Sequence, residues 1–417
     1  MSIQVRPCRS VEEARDALNG IGHYFGDDND LESTERFMQR LEIERMHAAW
    51  DGHRIVGGAG AFSYRMSVPG GSIRCGGVTA VGVLPTHRRR GVLTGLMREQ
   101  LADCRARGEP AAYLWASEST IYPRFGYGLA ALTGDLRLAR ERTAFAQPFE
   151  PRGAVRLVDV EEAARTFPPL YEQMFAQRPG LFSRTAAWWE GRRLVPSTFA
   201  PKTVKRLALL ELAGEPAGYA IYTVNQEWAH GSSVGNVTVV EAVAPTPEAT
   251  RELWRWLLDF DWISEFRASL LPLDHPLFLL LAEPRRMRFE VGDGIWVRLI
   301  DVEAALAARS YEGDTNVVVE LTDLFLPENA GRWRLGAHGA ERTNAAAELE
   351  VDITGLGSVY LGGFSFADLL RASRATELVP GAVRRADELF VTNVQPIFWK
   401  GCGRPQPTAP NRHEMTT

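Results

Sequence analysis

Two stretches of this chain match each other after one inserted residue: "VTAVGVLPTHRRRGVL", starting at Val78, and "VTVVEAVAPTPEATREL", starting at Val237. Each runs from a β-branched strand through a proline turn into an amphipathic helix, so one strand–turn–helix plan is used twice. That alternation predicts mixed sheets with flanking helices. The match breaks at one place. Arg88, Arg89, Arg90 and Gly91 fall opposite Glu248, Ala249, Thr250 and Arg251, so the scaffold recurs but the arginine run and its glycine do not.

A chain of 417 residues has room for two to four domains, each with its own apolar core. In the first unit, residues 54–68 and 72–84 read as paired strands joined by "PGG". A helix follows in "GVLTGLMREQLADCRARG", where Val92, Leu93, Leu96, Met97, Leu101 and Cys104 recur at helical spacing and Gly108 supplies a left-handed stop. Then come a short strand, "AAYLWAS", and the segment "ESTIYPRFGYG". Periodicity lapses in "ERTAFAQPFEPRG", which sets a first domain at residues 1–147. The second, 148–292, has strands in "GEPAGYAIYTV" and "NVTVVEAVAP" and a helix in "TPEATRELWRWLLDFDWI" with Trp254, Leu257 and Leu258 on its apolar side. The third, 293–400, opens with strand and helix in "GIWVRLIDVEAALAARSY" and continues with short strands and the helices "FADLLRASRATEL" and "AVRRADELFV". It reads as an α+β domain whose apolar helix faces form a packed core with an assembly role, with the lining of a ligand tunnel as the alternative. Residues 401–417 are a Pro/Gly/polar extension expected to be flexible.

Hydrophobic residues at 45% and charged residues at 24% are the balance of a soluble globular protein. A net charge of -5 provides no overall field for nucleic acid or an anionic membrane and favours cationic substrates. Cys8, Cys75, Cys104 and Cys402 are widely spaced and form no metal or disulfide pattern, so free thiols and no metal are expected. The N-terminus lacks the apolar core of a signal peptide, and "LLPLDHPLFLLLAEP" is broken well short of the ~20 residues that span a bilayer. A cytoplasmic protein is expected.

The arginine loop gives the strongest chemical lead. A strand ending at Leu84, a tight "PTHRRRG" turn and a helix starting near Gly91 gather free backbone N–H groups and the positive end of a helix dipole at one spot. Gly91 has no side chain to hold a phosphate away, and Arg88, Arg89 or Arg90 can add charge-assisted bonds. Neither G-x-x-x-x-G-K-[ST] nor G-x-G-x-x-G follows the strand, which lowers ATP hydrolysis and dinucleotide redox chemistry.

"VGVLPTHRRRGVLTGLM" resembles the acyl-CoA-binding motif R/Q-x-x-G-x-G/A of the GNAT N-acetyltransferases: Arg88 and Gly91 fit, while Leu93 stands where Gly or Ala is usual. With "ASESTIYPRFGYG" after it, the chain is similar over essentially its whole length to the Eis ("enhanced intracellular survival") subgroup. The resemblance implies an α+β architecture of tandem GNAT-like domains, mixed central sheets with flanking helices, and a C-terminal domain like sterol carrier protein 2. It implies that Val81, Gly82 and Val83 hold the pantetheine arm of acetyl-CoA. The run Arg88, Arg89, Arg90, Gly91, Val92, Leu93 and Thr94 would take the diphosphate, and Ser117 would lie beside the thioester. Tyr122 matches the family's general acid and Asp27 its substrate-contacting carboxylate. The expected acceptor is a small-molecule amine or a lysine-bearing protein, and the expected assembly a homohexamer built from trimers.

Acyl transfer to an amine needs a proton acceptor, because an alkylammonium with a pKa near ~10 is mostly protonated at neutral pH. It also benefits from an acid that protonates the departing thiolate. A phenol such as Tyr122 stays protonated at neutral pH and can serve; Tyr127 is the alternative, read as structural. In the family the chain's terminal carboxylate is credited as the base, but here the extension to Thr417 intervenes; a water chain to Glu118, or His23 or His87, are the substitutes. Asp27, Asp28 and Asp30 could draw in a polycationic amine or could cap a helix. A noncatalytic acyl-CoA or lipid-binding assembly protein is the competing function, and acyl groups longer than acetyl are a further option.

Overall fold

The computed structural model describes residues 3–26, 28–195 and 204–397. In chain order the first part comprises β1 (Gln4–Pro7), α1 (Val11–Phe25), α2 (Leu31–Met38), β2 (Met46–Asp51), β3 (Arg54–Val68), β4 (Gly71–Val83), α3 (Val92–Ala106), β5 (Ala111–Leu114) and β6 (Gly128–Leu129). The second comprises β7 (Leu132–Ala139), β8 (Gly153–Leu157), α4 (Val160–Gln177), α5 (Ala186–Trp188), β9 (Lys205–Leu212) and β10 (Glu215–Asn225). It continues through a small hairpin of β11 (Trp228–Ala229) and β12 (Ser232–Ser233) to β13 (Asn236–Val243), α6 (Pro247–Leu257), β14 (Glu265–Leu271), α7 (Leu277–Leu280) and β15 (Glu290–Asp293). The last comprises β16 (Trp296–Leu299), α8 (Val302–Ala307), β17 (Asn316–Thr322), β18 (Gly331–Gly336), β19 (Gly339–Arg342), β20 (Leu349–Asp352), α9 (Ile353–Val359), α10 (Phe366–Arg371), β21 (Ala375–Glu377) and α11 (Ala382–Phe390).

The strands expected from alternation are present, and Gly108 ends the α3 segment with φ +68° as read from the sequence. The expected helices are present too, with one correction: the helix read through "FADLLRASRATEL" stops at Arg371, the chain turns at Ser373 with φ +54°, and Ala375–Glu377 pairs with β20 as β21. Pairing, however, does not follow chain order. The first sheet runs β1-β2-β3-β4-β5-β16-β6 and the second β15-β7-β14-β13-β10-β9-β8. Each sheet therefore accepts one strand from beyond the divisions placed at residues 147 and 292. β16, read as the start of the third domain, lies antiparallel between β5 and β6, and β7, read as the end of the first, lies antiparallel between β14 and β15. Local alternation marks a strand but does not name its partner, so an exchange of this kind leaves no trace in a sequence pattern.

The exchange is reciprocal, which strengthens the repeat. Each sheet has a single pair of parallel neighbours, β4 with β5 and β13 with β14, at matching positions in the strand order. The third sheet, β19-β18-β17-β20-β21, carries α9, α10 and α11. Its core is continuous with the first sheet: Val317, Val319, Leu349, Leu356 and Phe366 share one buried cluster with Met66, Ile73, Cys75, Ala111 and Tyr113. The apolar faces of these helices fill that core. Among the described residues no helix is long and apolar enough to cross a membrane, and Cys8, Cys75 and Cys104 are buried free thiols.

A chain ending at residue 292 would lose β16, the one strand that joins β5 to β6. Thermal scans by circular dichroism are expected to show a cooperative transition for the full chain and none for that truncation.

Candidate active site

β4 and β5 pair over only Cys75–Gly77 and Ala111–Tyr113. Beyond Gly77, β4 continues to Val83 along β3, whereas β5 ends at Leu114 against β16, so a gap opens at the carboxyl ends of the two parallel strands. Ligands of α/β sheets bind in crevices of this kind. Inside the gap, Gly58 faces Gly82 and Gly60 faces Thr79, leaving Ala80 and Val81 opposite Ala59 alone. This is a β-bulge, with Ala80 at φ +53°, and it removes backbone groups from the β3 ladder just where Val81 and Val83 are expected to meet a pantetheine arm. Gly82 is fixed by packing: a Cβ there would stand 2.5 Å from Ile21 Cα of α1.

After β4 the chain turns through Pro85–His87, passes Arg89 at φ +61° and enters α3 at Gly91, whose φ is +79°. Two left-handed residues so close together reverse the chain and turn successive amides toward one side. From Arg88 to Thr94 no backbone N–H has an acceptor among the described residues; the first helical bond is Gly95 N to Gly91 O at 3.0 Å. No side chain caps α3, and a Cβ on Gly91 would meet nothing within 4 Å. The loop is thus an open, uncapped helix N-terminus, the arrangement that binds phosphate oxygens.

The three arginines do not share one role. All are exposed, but Arg90 Nη2 lies 3.3 Å from Asp51 Oδ2, which also meets His87 Nε2 at 3.2 Å. Arg88 and Arg89 have no such partner among the described residues, so they are the pair free to meet an anion. Asp51 is a residue the sequence reading missed; it ends β2, and only the three-dimensional pairing of β2 with β3 brings it to the loop. His87, held by Asp51 and by Thr86 Oγ1 at 2.8 Å, is thereby part of the turn's framework, whereas His23 is exposed near the end of α1.

Ser117 and Glu118 are exposed on the chain leaving β5, and Ser117 caps no helix. Tyr122 follows at the head of a single 3-10 turn, with only 7% of its surface exposed. Its ring meets Tyr127 edge-on at 5.9 Å, and its hydroxyl has no hydrogen bond among the described residues. Burial pushes the phenol up to about 12, because a phenolate would be poorly solvated there. Val81 and Leu93 pack on the same apolar cluster as Tyr122, Phe125 and Tyr127, so the bulge, the first turn of α3 and the tyrosine meet in space. Val92 is buried and Thr94 exposed. Asp27 lies outside the described residues, as do residues 398–417 with the chain terminus; Asp30 serves as the N-cap of α2, accepting from Ser33 N at 2.7 Å.

The two glycines of "RFGYG" have packing reasons. A Cβ on Gly126 would stand 2.2 Å from Arg298 Nη1 of β16, and one on Gly128 would stand 1.9 Å from Thr354 O of α9. Arg298 is fully buried and gives two hydrogen bonds to Asp323, at 3.0 and 2.7 Å. Both residues were missed by the sequence reading. The available signal was a lone arginine within the apolar run Trp296–Ile300, since a charge in such a strand must be paired.

The second unit builds the corresponding strand-to-helix link differently. The sequence match set Gly91 against Arg251, but by position in the helix its counterpart is Thr246: the strand-to-helix link shortens from Leu84–Gly91 to Ala244–Thr246. Thr246 accepts from Ala249 N at 3.2 Å, and Pro247 has no N–H to offer. Where the first strand has Gly82, the match places Glu241. This carboxylate is buried and held ionised by Arg184 and Arg193, and it accepts from Tyr219 Oη at 2.7 Å. Arg184 in turn lies 3.6 Å from the Tyr171 ring centroid and 4.4 Å from that of Trp188. The matched strand position thus carries a buried ion cluster, and the helix N-terminus is capped.

An open-ended pair of parallel strands, a bulge and an uncapped, glycine-led helix define an acyltransferase of the GNAT class. Acetyltransferase (GNAT) domain families match residues 5–130 and 180–299, and a sterol carrier protein domain family matches residues 302–399. The chain is 34% identical over 360 residues to N-acetyltransferase Eis of Mycobacterium tuberculosis, which covers 83% of this chain and 85% of that protein. It is 38% identical over 373 residues to an uncharacterized N-acetyltransferase of Streptomyces avermitilis, with 88% and 91% covered. The crystal structure of Eis1 from Mycobacterium abscessus superposes with a TM-score of 0.83 at 35% identity over 94% of this chain and 98% of that one. The chain belongs to the Eis family of N-acetyltransferases. Among its described residues no group of His, Cys, Asp and Glu could hold a metal.

Removing the guanidinium of Arg88 or Arg89 by alanine substitution is expected to weaken coenzyme A binding on the order of tenfold each, from the lost charge-assisted bond. Arg90→Ala, which loses a group already shared with Asp51, should have the smallest effect of the three. Gly91→Val forces a β-branched residue to a positive φ and should weaken binding by about tenfold as well. Isothermal titration with coenzyme A checks all four.

Proposed function

We propose that the protein transfers the acetyl group of acetyl-CoA directly to a primary amine on an aminoglycoside, a polyamine or a lysine side chain, with Tyr122 as general acid. The observation that carries this reading is the row of unpartnered amides from Arg88 to Thr94, packed through Val81 and Leu93 against the cluster that contains Tyr122. The diphosphate would sit on those amides with Arg88 and Arg89, the pantetheine arm would run along the bulge at Val81 to Val83, and the thioester would arrive beside Ser117 and Tyr122. Negative charge at Asp27, Asp28 and Glu118 suits an acceptor with several ammonium groups. The amine lone pair attacks the thioester carbonyl and a C–N bond forms. The C–S bond then breaks while the Tyr122 proton passes to sulfur; the proton lost by the amine nitrogen goes to solvent water, and water returns one to the Tyr122 phenolate, so the acid is restored as the amide and free thiol leave. A cytoplasmic setting and a trimer-based homohexamer follow the family resemblance, and sedimentation reads the latter.

Incubating the protein with acetyl-CoA and a panel of amines should release free thiol only when an amine is present. Tyr122→Phe is expected to lower kcat on the order of a hundredfold, in the range for losing a general acid. The rate should climb with pH as the amine deprotonates, and it should show no fall from Tyr122 ionisation below pH ~10, the unperturbed phenol value, because burial raises this phenol further. Tyr122→Phe with unchanged kcat would end the general-acid assignment.

A further inference from the structure

Tyr122 belongs to the first domain, yet much of what holds its loop comes from the last. The turn Asp323–Leu326, between β17 and β18, is closed by the Asp323 carboxylate, which accepts from Phe325 N at 3.1 Å, Leu326 N at 3.0 Å and Asn329 Nδ2 at 3.0 Å. The same carboxylate holds Arg298, whose guanidinium occupies the space left by the absent side chain of Gly126. From this closed turn Phe325 reaches into the first domain. Its ring meets Phe125 edge-on at 5.2 Å, and the guanidinium of Arg98, on α3, lies 5.6 Å from its centroid. Phe125 N donates to Tyr122 O at 2.9 Å, so Phe325 is one side chain removed from the tyrosine's own backbone. Phe325 and Leu326 also pack on the cluster formed by Tyr122, Phe125, Tyr127, Val81 and Leu93. Farther along α3, Arg105 pairs with Glu328 and donates to Ile300 O.

We propose that the Asp323–Leu326 turn is a positioning element of the transfer reaction, with Phe325 setting the Tyr122 loop against the helix that receives the coenzyme. The inference rests on Tyr122 as general acid and extends it: the sterol-carrier-like domain is part of the catalytic apparatus through its edge. Phe325 touches the acid's loop on one side and α3 on the other, so it fixes the distance between proton donor and thioester. An aromatic contact with defined geometry suits that task better than simple filling of volume. Small displacements of a catalytic group lower turnover without disturbing binding made elsewhere.

The test is a double-mutant cycle read in kcat, KM for acetyl-CoA and thermal midpoint. Phe325→Ala is expected to lower kcat on the order of tenfold, with KM for acetyl-CoA changed less than about twofold. Phe325→Tyr, which keeps the ring, should restore most of the loss, and Phe325→Leu supplies the measurement if the alanine variant does not fold. In a Tyr122→Phe background the Phe325 substitution should change kcat by less than about twofold, because the group it positions is gone. An unchanged kcat in Phe325→Ala, or an equal loss in both backgrounds, overturns the positioning role while leaving Tyr122 intact. If Tyr122→Phe itself leaves kcat unchanged, the general-acid reading fails first and takes this inference with it.

Discussion

The structure depends on a reciprocal strand exchange. β16 closes the first sheet and β7 closes the second, so neither sheet is complete from its own stretch of chain. Two consequences follow from backbone hydrogen bonding alone. The units cannot separate without exposing the ladders of β5 and β14, and side chains on the donated strand enter the recipient's core as native parts of it. Arg298 is the residue for which this matters most. It travels with β16 into the first sheet and meets Asp323 of the third domain beneath Gly126. One buried ion pair thereby joins the Tyr122 loop, an exchanged strand and a neighbouring domain. Removing one partner of a buried pair commonly costs about 3–5 kcal/mol, since the other charge is left without solvent or counterion.

On this frame a small difference in helix capping separates an open helix N-terminus from a closed one. Both units place a bulged strand before a helix, and both pair it in parallel with the next strand. In the first, the helix opens at a glycine with no side-chain cap, and a loop of eight residues, Leu84 to Gly91, leaves donors unspent. In the second, three residues join strand to helix, a threonine caps the first turn, and a proline removes one donor altogether. Helix dipoles are present in both. What differs is whether backbone N–H groups remain available to a ligand, and this decides the matter more than formal charge does. The arginine run adds two free guanidiniums to donors that the backbone already supplies.

Much of this was legible in the sequence. Strand and helix extents followed from apolar spacing. Gly108, Gly91 and the matched repeat marked stops and starts, and the paired motifs "PTHRRRG" and "IYPRFGYG" identified the loop and the tyrosine. The rest depended on partners distant in the chain. Arg90 looked equivalent to Arg88 and Arg89 until Asp51, thirty-nine positions earlier, was seen beside it. Gly126 and Gly128 carried no reading in the sequence, and close approach by Arg298 and by α9 explains them. The repeat itself was legible, but its register at the loop was not, because sequence matching keeps residues opposite one another where the backbone has simply been shortened. Periodicity reports what a residue does within its own element, and these errors all concern relations between elements.

The second unit is held together at the matched strand position by buried charge. Glu241 stands where the first strand has Gly82 and sits among Arg184, Arg193 and Tyr219, with Trp188 and Tyr171 covering the Arg184 guanidinium. Each charge is acceptable only because the others are present, so removing any one of them strands an ion. The unit also supports the first domain directly. Phe182 stacks on Tyr113 of β5 with ring centroids 3.6 Å apart, and Ser67 N of β3 donates to Leu181 O at 2.8 Å. β3 and β5 flank β4 in the first sheet, so these contacts from the second unit brace the two strands on either side of the one that leads into the arginine loop.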